Sequence, residues 1–223
     1  KLNFNWGATG GIIQIDQGIF SNCFTGVRFI SYKNKDGFGN IIKDRSFISR
    51  TNFILSSGPI GNVDNKGFGI TMFSVKGISI QGNTFINLAP SSTAFETNGI
   101  GIVAVDADFE VVPYCAVLSG TTCASQIKNR FQNLYYGVDA SATLPTIGIK
   151  INDNEFINNN RGIVLRGTSF SQIMRNNITV GEFFTIGPLF KPVYPYGIYL
   201  DAANAYVVQS NTITNALATT FVT

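Results

Sequence analysis

Two stretches of the chain, IQIDQGIFSNCFTGVRF (residues 13–29) and IKINDNEFINNNRGIVL (residues 149–165), superimpose without a gap on the pattern IxIxxZxFxNxxxGhxh, where Z is Gly or Asn and h is apolar. The phrase returns as ISIQGNTFIN from Ile78, SQIKNRFQNLYYGV from Ser125, SQIMRNNITV from Ser171 and YVVQSNTITN from Tyr206, with a degraded copy, IIKDRSFIS, from Ile41. A unit this short cannot bury an apolar side by itself, so repetition on this scale means that like units stack on one another.

The residue two before the central Phe or Ile marks each copy: Gly18, Arg45, Asn83, Asn129, Asn154, Asn176 and Asn211, at successive spacings of 27, 38, 46, 25, 22 and 35. A stacked unit can gain surface loops but cannot shrink below its own circumference, so the shortest spacing sets a rung of about 22 residues. Apolar residues alternate with period two, as in Ile149 and Ile151 or Ile163 and Leu165, among many Val, Ile, Phe, Thr and Asn. These are strands, not helices. The fold class expected is all-β, a single-stranded parallel β-helix (solenoid) with rungs at strand spacing, about 4.8 Å. The marker asparagines are expected where the coil turns a corner, because Asn tolerates left-handed backbone better than any residue but Gly. Asn83, Asn129, Asn154 and Asn176 are further expected to hydrogen-bond amide to amide along the axis.

This phrase resembles the right-handed parallel β-helix repeat of pectate-lyase-like proteins and of bacterial cell-envelope β-helix proteins, over roughly residues 12–216. The resemblance implies the handedness, which also follows the general preference of parallel crossovers. It speaks to architecture more than to activity. The chain contains no histidine, so it lacks the Gly-His-Gly segment of polygalacturonase-like enzymes and the His-containing motif of alginate-epimerase-like ones. Nor are the stacked aspartates of a pectate-lyase-like calcium site recognisable. Ser-His-Asp chemistry and imidazole metal sites are excluded on the same ground.

Composition narrows the field further. With 44% hydrophobic and 13% charged residues, residues 1–223 suit one β-helix domain, read as a segment of a longer protein. A net charge of +3 without a basic run gives no nucleic-acid footprint. No apolar run approaches the roughly 20 residues of a membrane span. The last copy starts at Tyr206 and the chain ends in LATTFVT without an amphipathic helix to cover the final rung. Further rungs or a partner are expected to continue the stack.

Function on such a scaffold is expected in loops between rungs. LAPSSTAFET, before Gly99, and EFFTIGPLFKPVYPY, before Gly197, share one corner; LSSGPIGNVDNKGFG and DADFEVVPYCAVLSGTTC are assigned to another. Phe190, Tyr194 and Tyr196 sit on a Pro-stiffened loop, either as a platform for stacking sugars or as a cover for the strand edge. Asp106, Asp108 and Glu110 alternate, so an extended strand puts them on one face, as a calcium site, a catalytic carboxylate pair or a solvated face. Arg166 and Asp201 each follow a repeat glycine by four residues and are expected to stack as an ion pair, structural or part of a lyase-like site. Cys115 and Cys123 permit a local disulfide or stand as two free thiols.

Two readings follow. One is a non-catalytic, rigid β-helix module of a secreted or cell-surface bacterial protein, touching a polysaccharide or protein partner through its corner loops, with no cofactor unless calcium. The other is a polysaccharide lyase or glycoside hydrolase acting on an acidic polysaccharide through the carboxylates of the Asp106 to Glu110 stretch and Arg166.

Overall fold

A computed structural model describes residues 12–31, 33, 38, 40, 46–57, 66–90, 95–144, 146–181 and 195–215. Apart from one antiparallel hairpin, its strands form three parallel sheets, which the chain visits in turn. Sheet A stacks Gln14–Asp16, Ser46–Ser49, Lys76–Gln81, Asp108–Val112, Lys150–Asn152, Gln172–Met174 and Val207–Gln209. Sheet B stacks Ile19–Ser21, Asn52–Leu55, Thr84–Asn87, Arg130–Gln132, Glu155–Asn159, Asn177–Val180 and Thr212–Asn215. Sheet C stacks Thr25–Ile30, Phe68–Phe73, Ile100–Val105, Tyr136–Ser141, Arg161–Arg166 and Tyr196–Asp201. Each rung therefore has three strands, and the architecture is a parallel β-helix.

Strict register turns the repeat into continuous core columns. In sheet A, Ile15, Ile48, Ile80, Val111, Ile151, Ile173 and Val208 are paired in sequence along the axis. In sheet B the rings of Phe20, Phe53, Phe85, Phe131 and Phe156 stack near-parallel, with centroids 5.1, 4.7, 4.7 and 4.7 Å apart, and Ile178 and Ile213 continue the line. In sheet C the column runs Val27, Ile70, Ile102, Val138, Ile163, Ile198. Fully burying each such side chain stabilises by roughly 1.5–3 kcal/mol, and the ring contacts add about 0.5–1.5 kcal/mol apiece.

The repeat glycine faces the ring column. A Cβ on Gly69, Gly101 or Gly137 would lie 2.6–2.7 Å from Cδ1 of Phe85, Phe131 or Phe156 respectively. Glycine and phenylalanine in the phrase are thus two halves of one packing requirement.

The corner between sheets A and B departs from the sequence expectation. The left-handed residue is the one before the marker in six rungs, Gln17, Arg50, Gly82, Asp153, Arg175 and Ser210, with φ from 46° to 62°, but not before Asn129, where Lys128 follows a hairpin. Asn83, Asn129, Asn154 and Asn176 are themselves buried, and their side chains explain their identity. Asn83 Nδ2 donates to Asn129 Oδ1 (3.2 Å), Asn129 to Asn154 (2.8 Å), Asn154 to Asn176 (3.1 Å) and Asn176 to Asn211 (2.9 Å). The second proton of each Nδ2 goes to a sheet A carbonyl one rung back, such as Ile48, Val111, Ile151 or Ile173. The Oδ1 atoms of Asn83, Asn129, Asn176 and Asn211 also take a corner backbone N–H, as Thr51 N to Asn83 (2.9 Å) and Asn154 N to Asn176 (3.0 Å). Only a carboxamide supplies two donors and a two-fold acceptor in so short a side chain.

The second rung is also re-registered. Arg45 lies outside the described residues, and the marker position is held by Thr51, whose Oγ1 accepts from Gly18 N and whose own N–H reaches Asn83. Asn52–Leu55, with Phe53 in the ring column, is the sheet B strand, and Ser46–Ser49 belongs to sheet A. The long connections regroup accordingly. Those at 56–67, 88–99 and 181–195 all join sheet B to sheet C, while the connection between Asp108–Val112 and Arg130–Gln132 is an antiparallel hairpin, Tyr114–Ser119 with Thr122–Ile127, between sheets A and B. Cys115 and Cys123 are joined across that hairpin by a disulfide, with Cα atoms 5.7 Å apart.

Candidate functional site

Side chains that alternate outward from sheet C fall into columns as regular as those inside. The position before the repeat glycine carries Thr25, Phe68, Ile100, Tyr136, Arg161 and Tyr196. Two positions beyond that glycine come Arg28, Thr71, Val103, Asp139, Val164 and Tyr199. Ile100, Tyr136 and Val164 are buried together on this outer face, with Phe68, Val103 and Tyr135 against them. A second apolar cluster outside the barrel is unusual for a solvated sheet face.

Arg161 is the centre of this surface. Its guanidinium carbon lies 5.6, 5.0 and 5.6 Å from the ring centroids of Tyr135, Tyr136 and Tyr196. One Nη donates to the Tyr136 hydroxyl, while the buried Nε has no hydrogen-bond partner. Tyr135 is steadied by the Tyr136 ring (4.2 Å, edge-on), by Phe95 (5.9 Å) and by Lys66 Nζ over its face (5.1 Å). Burial, together with the Tyr136 hydroxyl, pushes the Tyr135 phenol well above its ordinary value, so it stays protonated. Arg161, Arg166, Tyr196 and Tyr199 line a pocket of about 170 Å³. Burial works against the charge on Arg166, but the field and hydrogen bond of Asp139 outweigh it and hold the guanidinium more firmly protonated than usual. Rings beside a fixed fork of donors can stack a flat ligand and bind its carboxylate.

The other expected site residues are dispersed. Arg166 and Asp201 are register partners, yet the ion pair of Arg166 is with Asp139. The long side chain reaches diagonally across the strand pair to a half-buried carboxylate, where the ionic contact is less screened than at the exposed Asp201. Asp108 and Glu110 share the outer face of Asp108–Val112, alternating with the buried Phe109 and Val111, but Asp106 does not join them. Asp106 has φ 53° and forms the turn from sheet C to sheet A, which breaks the alternation, and its carboxylate accepts from Thr143 N (2.6 Å) and Oγ1 (2.9 Å). Glu110, on the outer face of sheet A, accepts from Ser79 Oγ (3.0 Å) and pairs with Lys150 (3.8 Å). Asp108 lines a different pocket, with Lys150, Phe170 and Gln172. Phe190 and Tyr194 lie outside the described residues; Tyr196 stands at the Arg161 pocket.

Sequence reasoning missed Arg161, Tyr135, Tyr136, Tyr199 and Asp139. The available signal was the residue preceding the repeat glycine, which is Tyr136, Arg161 and Tyr196 in successive rungs.

Residues 112–222, just under half of the chain and including the whole pocket, match a family model described as periplasmic copper-binding protein (NosD). The chain is a right-handed parallel β-helix protein. The bacterial-envelope location expected from the β-helix repeat agrees with that of the matched family. Among the described residues no helix is long and apolar enough to cross a membrane. No curated protein and no solved structure is significantly similar to this β-helix.

Proposed function

We propose that this β-helix is a non-catalytic module of the bacterial envelope that holds an acidic glycan against the outer face of sheet C. The observation that carries the reading is Arg161, set among three tyrosine rings and next to Arg166 in one pocket. A uronic-acid unit presents a flat ring face to Tyr196 and Tyr199 and a carboxylate to the guanidinium groups, a charge-assisted and bidentate match. Rigid strands hold these side chains in place, so little order has to be gained on binding.

The enzymatic alternative finds less support. Hydrolysis of a glycosidic bond asks for two carboxyl groups flanking the bond, about 5–10 Å apart. Asp139, one carboxylate beside this pocket, is occupied by Arg166, Asp201 is the exposed register partner of that same arginine, and Asp106 and Glu110 are engaged elsewhere.

The name of the matched family raises copper, which needs imidazole, thiolate or thioether donors in number. The chain has no histidine and three cysteines, two of them joined in the disulfide. Met72 is fully buried in the core. Among the described residues, no three His, Cys, Asp or Glu side chains gather at one place, for copper or for calcium. Among the described residues, none assembles a copper site.

Isothermal titration with oligogalacturonate, polyuronates and neutral glucans tests the reading. Binding confined to the acidic glycans and lost in Arg161→Ala supports it, and equal binding of neutral glucan overturns it. New absorbance from unsaturated products would favour a lyase instead.

A further inference from the structure

We propose a second binding site on the outer face of sheet C, nearer the start of the chain, that takes a small aromatic ring bearing a carboxylate. Phe24, Arg28, Phe68, Thr71, Phe73 and Val103 line a pocket of about 200 Å³ there. Its walls are aromatic: Phe24 and Phe68 meet edge to face at 5.4 Å, and Phe24 is 58% exposed despite that contact.

Besides Thr25, two further polar groups enter this apolar setting. The Arg28 guanidinium lies over the Phe73 ring at 5.6 Å, and Thr71, its register partner on the next rung, is only 8% exposed. The Thr71 hydroxyl has no hydrogen-bond partner. A buried hydroxyl is ordinarily satisfied, and one left open in a pocket wall asks for an acceptor from outside the chain.

Register partners on adjacent strands have Cβ atoms about 4.5–5.5 Å apart. One carboxylate can therefore accept from the Thr71 O–H and the Arg28 fork together. Its ring would then lie on Phe24, Phe68 and Val103, where edge and offset contacts are favourable. A purely apolar guest leaves Thr71 unsatisfied, and a purely ionic one leaves the phenylalanines uncovered. The site is separate from the Arg161 pocket, which lies three to four rungs along the axis, so it stands or falls independently of the acidic-glycan reading.

The test is ligand-observed NMR and calorimetry on the intact chain with three probes: benzoate, benzyl alcohol and free galacturonate. Benzoate is expected to bind, at least tenfold more tightly than benzyl alcohol, and to leave the Arg161→Ala variant unaffected. Arg28→Ala should abolish binding and the near-isosteric Thr71→Val should weaken it severalfold, with both variants melting within a few degrees of the parent. Equal binding of benzyl alcohol, tighter binding of galacturonate than of benzoate, or benzoate binding unchanged in Arg28→Ala would each overturn the proposal, as would no binding of benzoate.

Discussion

Gly137 lies against the ring of Phe156 so closely that a Cβ at that position would stand 2.6 Å from Phe156 Cδ1 and 2.7 Å from the Gly162 carbonyl oxygen. Neither neighbour has room to yield, because the ring is stacked on Phe131 at 4.7 Å and the carbonyl belongs to a paired strand. Gly137→Ala is therefore expected to cost about 1–3 kcal/mol by overpacking, a fall in Tm of about 2–4 °C per kcal/mol for a chain of this size. Gly120, at the hairpin tip, has nothing within 4 Å of a Cβ position, but its φ of 64° favours glycine. Gly120→Asn, which accepts that backbone, should melt within a degree or two of the parent.

Asn154 should be among the most sensitive polar residues. It bonds Asn129, Asn176 and the Val111 and Asn152 carbonyls while fully buried. Asn154→Leu orphans several of these groups at about 1–3 kcal/mol each, so chemical denaturation should show a loss of about 3 kcal/mol or more. Thr214→Ala, which removes an exposed bond to Thr179, should cost well under half of that.

Acid sensitivity has an identifiable contributor in Asp16. Its hydrogen bond from Arg50, then that from Ser49, lowers its pKa below the ordinary value. A carboxylate with a depressed folded pKa stabilises above its unfolded pKa, near 3.9, and loses that contribution as pH falls through the folded value. Asp16→Asn should therefore melt slightly below the parent at pH 7, and the two curves should converge as pH falls through the lowered folded pKa. The difference will be small and salt-sensitive, since the pair is at the surface.

Arg161 is expected to resist conservative replacement. Arg161→Lys keeps the charge but loses the planar fork that lies among Tyr135, Tyr136 and Tyr196. Calorimetry with oligogalacturonate should show Arg161→Lys at least tenfold weaker than the parent, close to Arg161→Ala. Recovery of parental affinity by lysine would mean that charge alone is recognised.

What was legible in the sequence follows from what repeats. Core columns and stacked rings are written once per rung, so Phe85, Phe131 and Phe156 could be aligned from the phrase alone. Register failed at the second rung because SFIS at residues 46–49 imitates TFIN at 84–87, while the true counterpart, Asn52–Leu55, follows a Thr instead of an Asn. That slip displaced the long connection at 56–67 to the wrong corner. The backbone role assigned to the asparagines was misplaced by one residue, since a buried amide and a left-handed corner favour the same residue type for different reasons. The outer face of sheet C was hardest to foresee. Tyr136, Arg161 and Tyr196 are chemically unlike one another, so no phrase repeats, and only three-dimensional stacking makes them one surface.

The most direct measurement is a backbone-amide chemical-shift titration of the labelled chain with oligogalacturonate. The largest shifts are expected at Tyr136, Arg161, Arg166 and Tyr199 on sheet C, with Ser79, Glu110 and Lys150 on sheet A unmoved. Shifts centred on the sheet A residues, or none at millimolar ligand, would contradict a glycan-holding face built around Arg161.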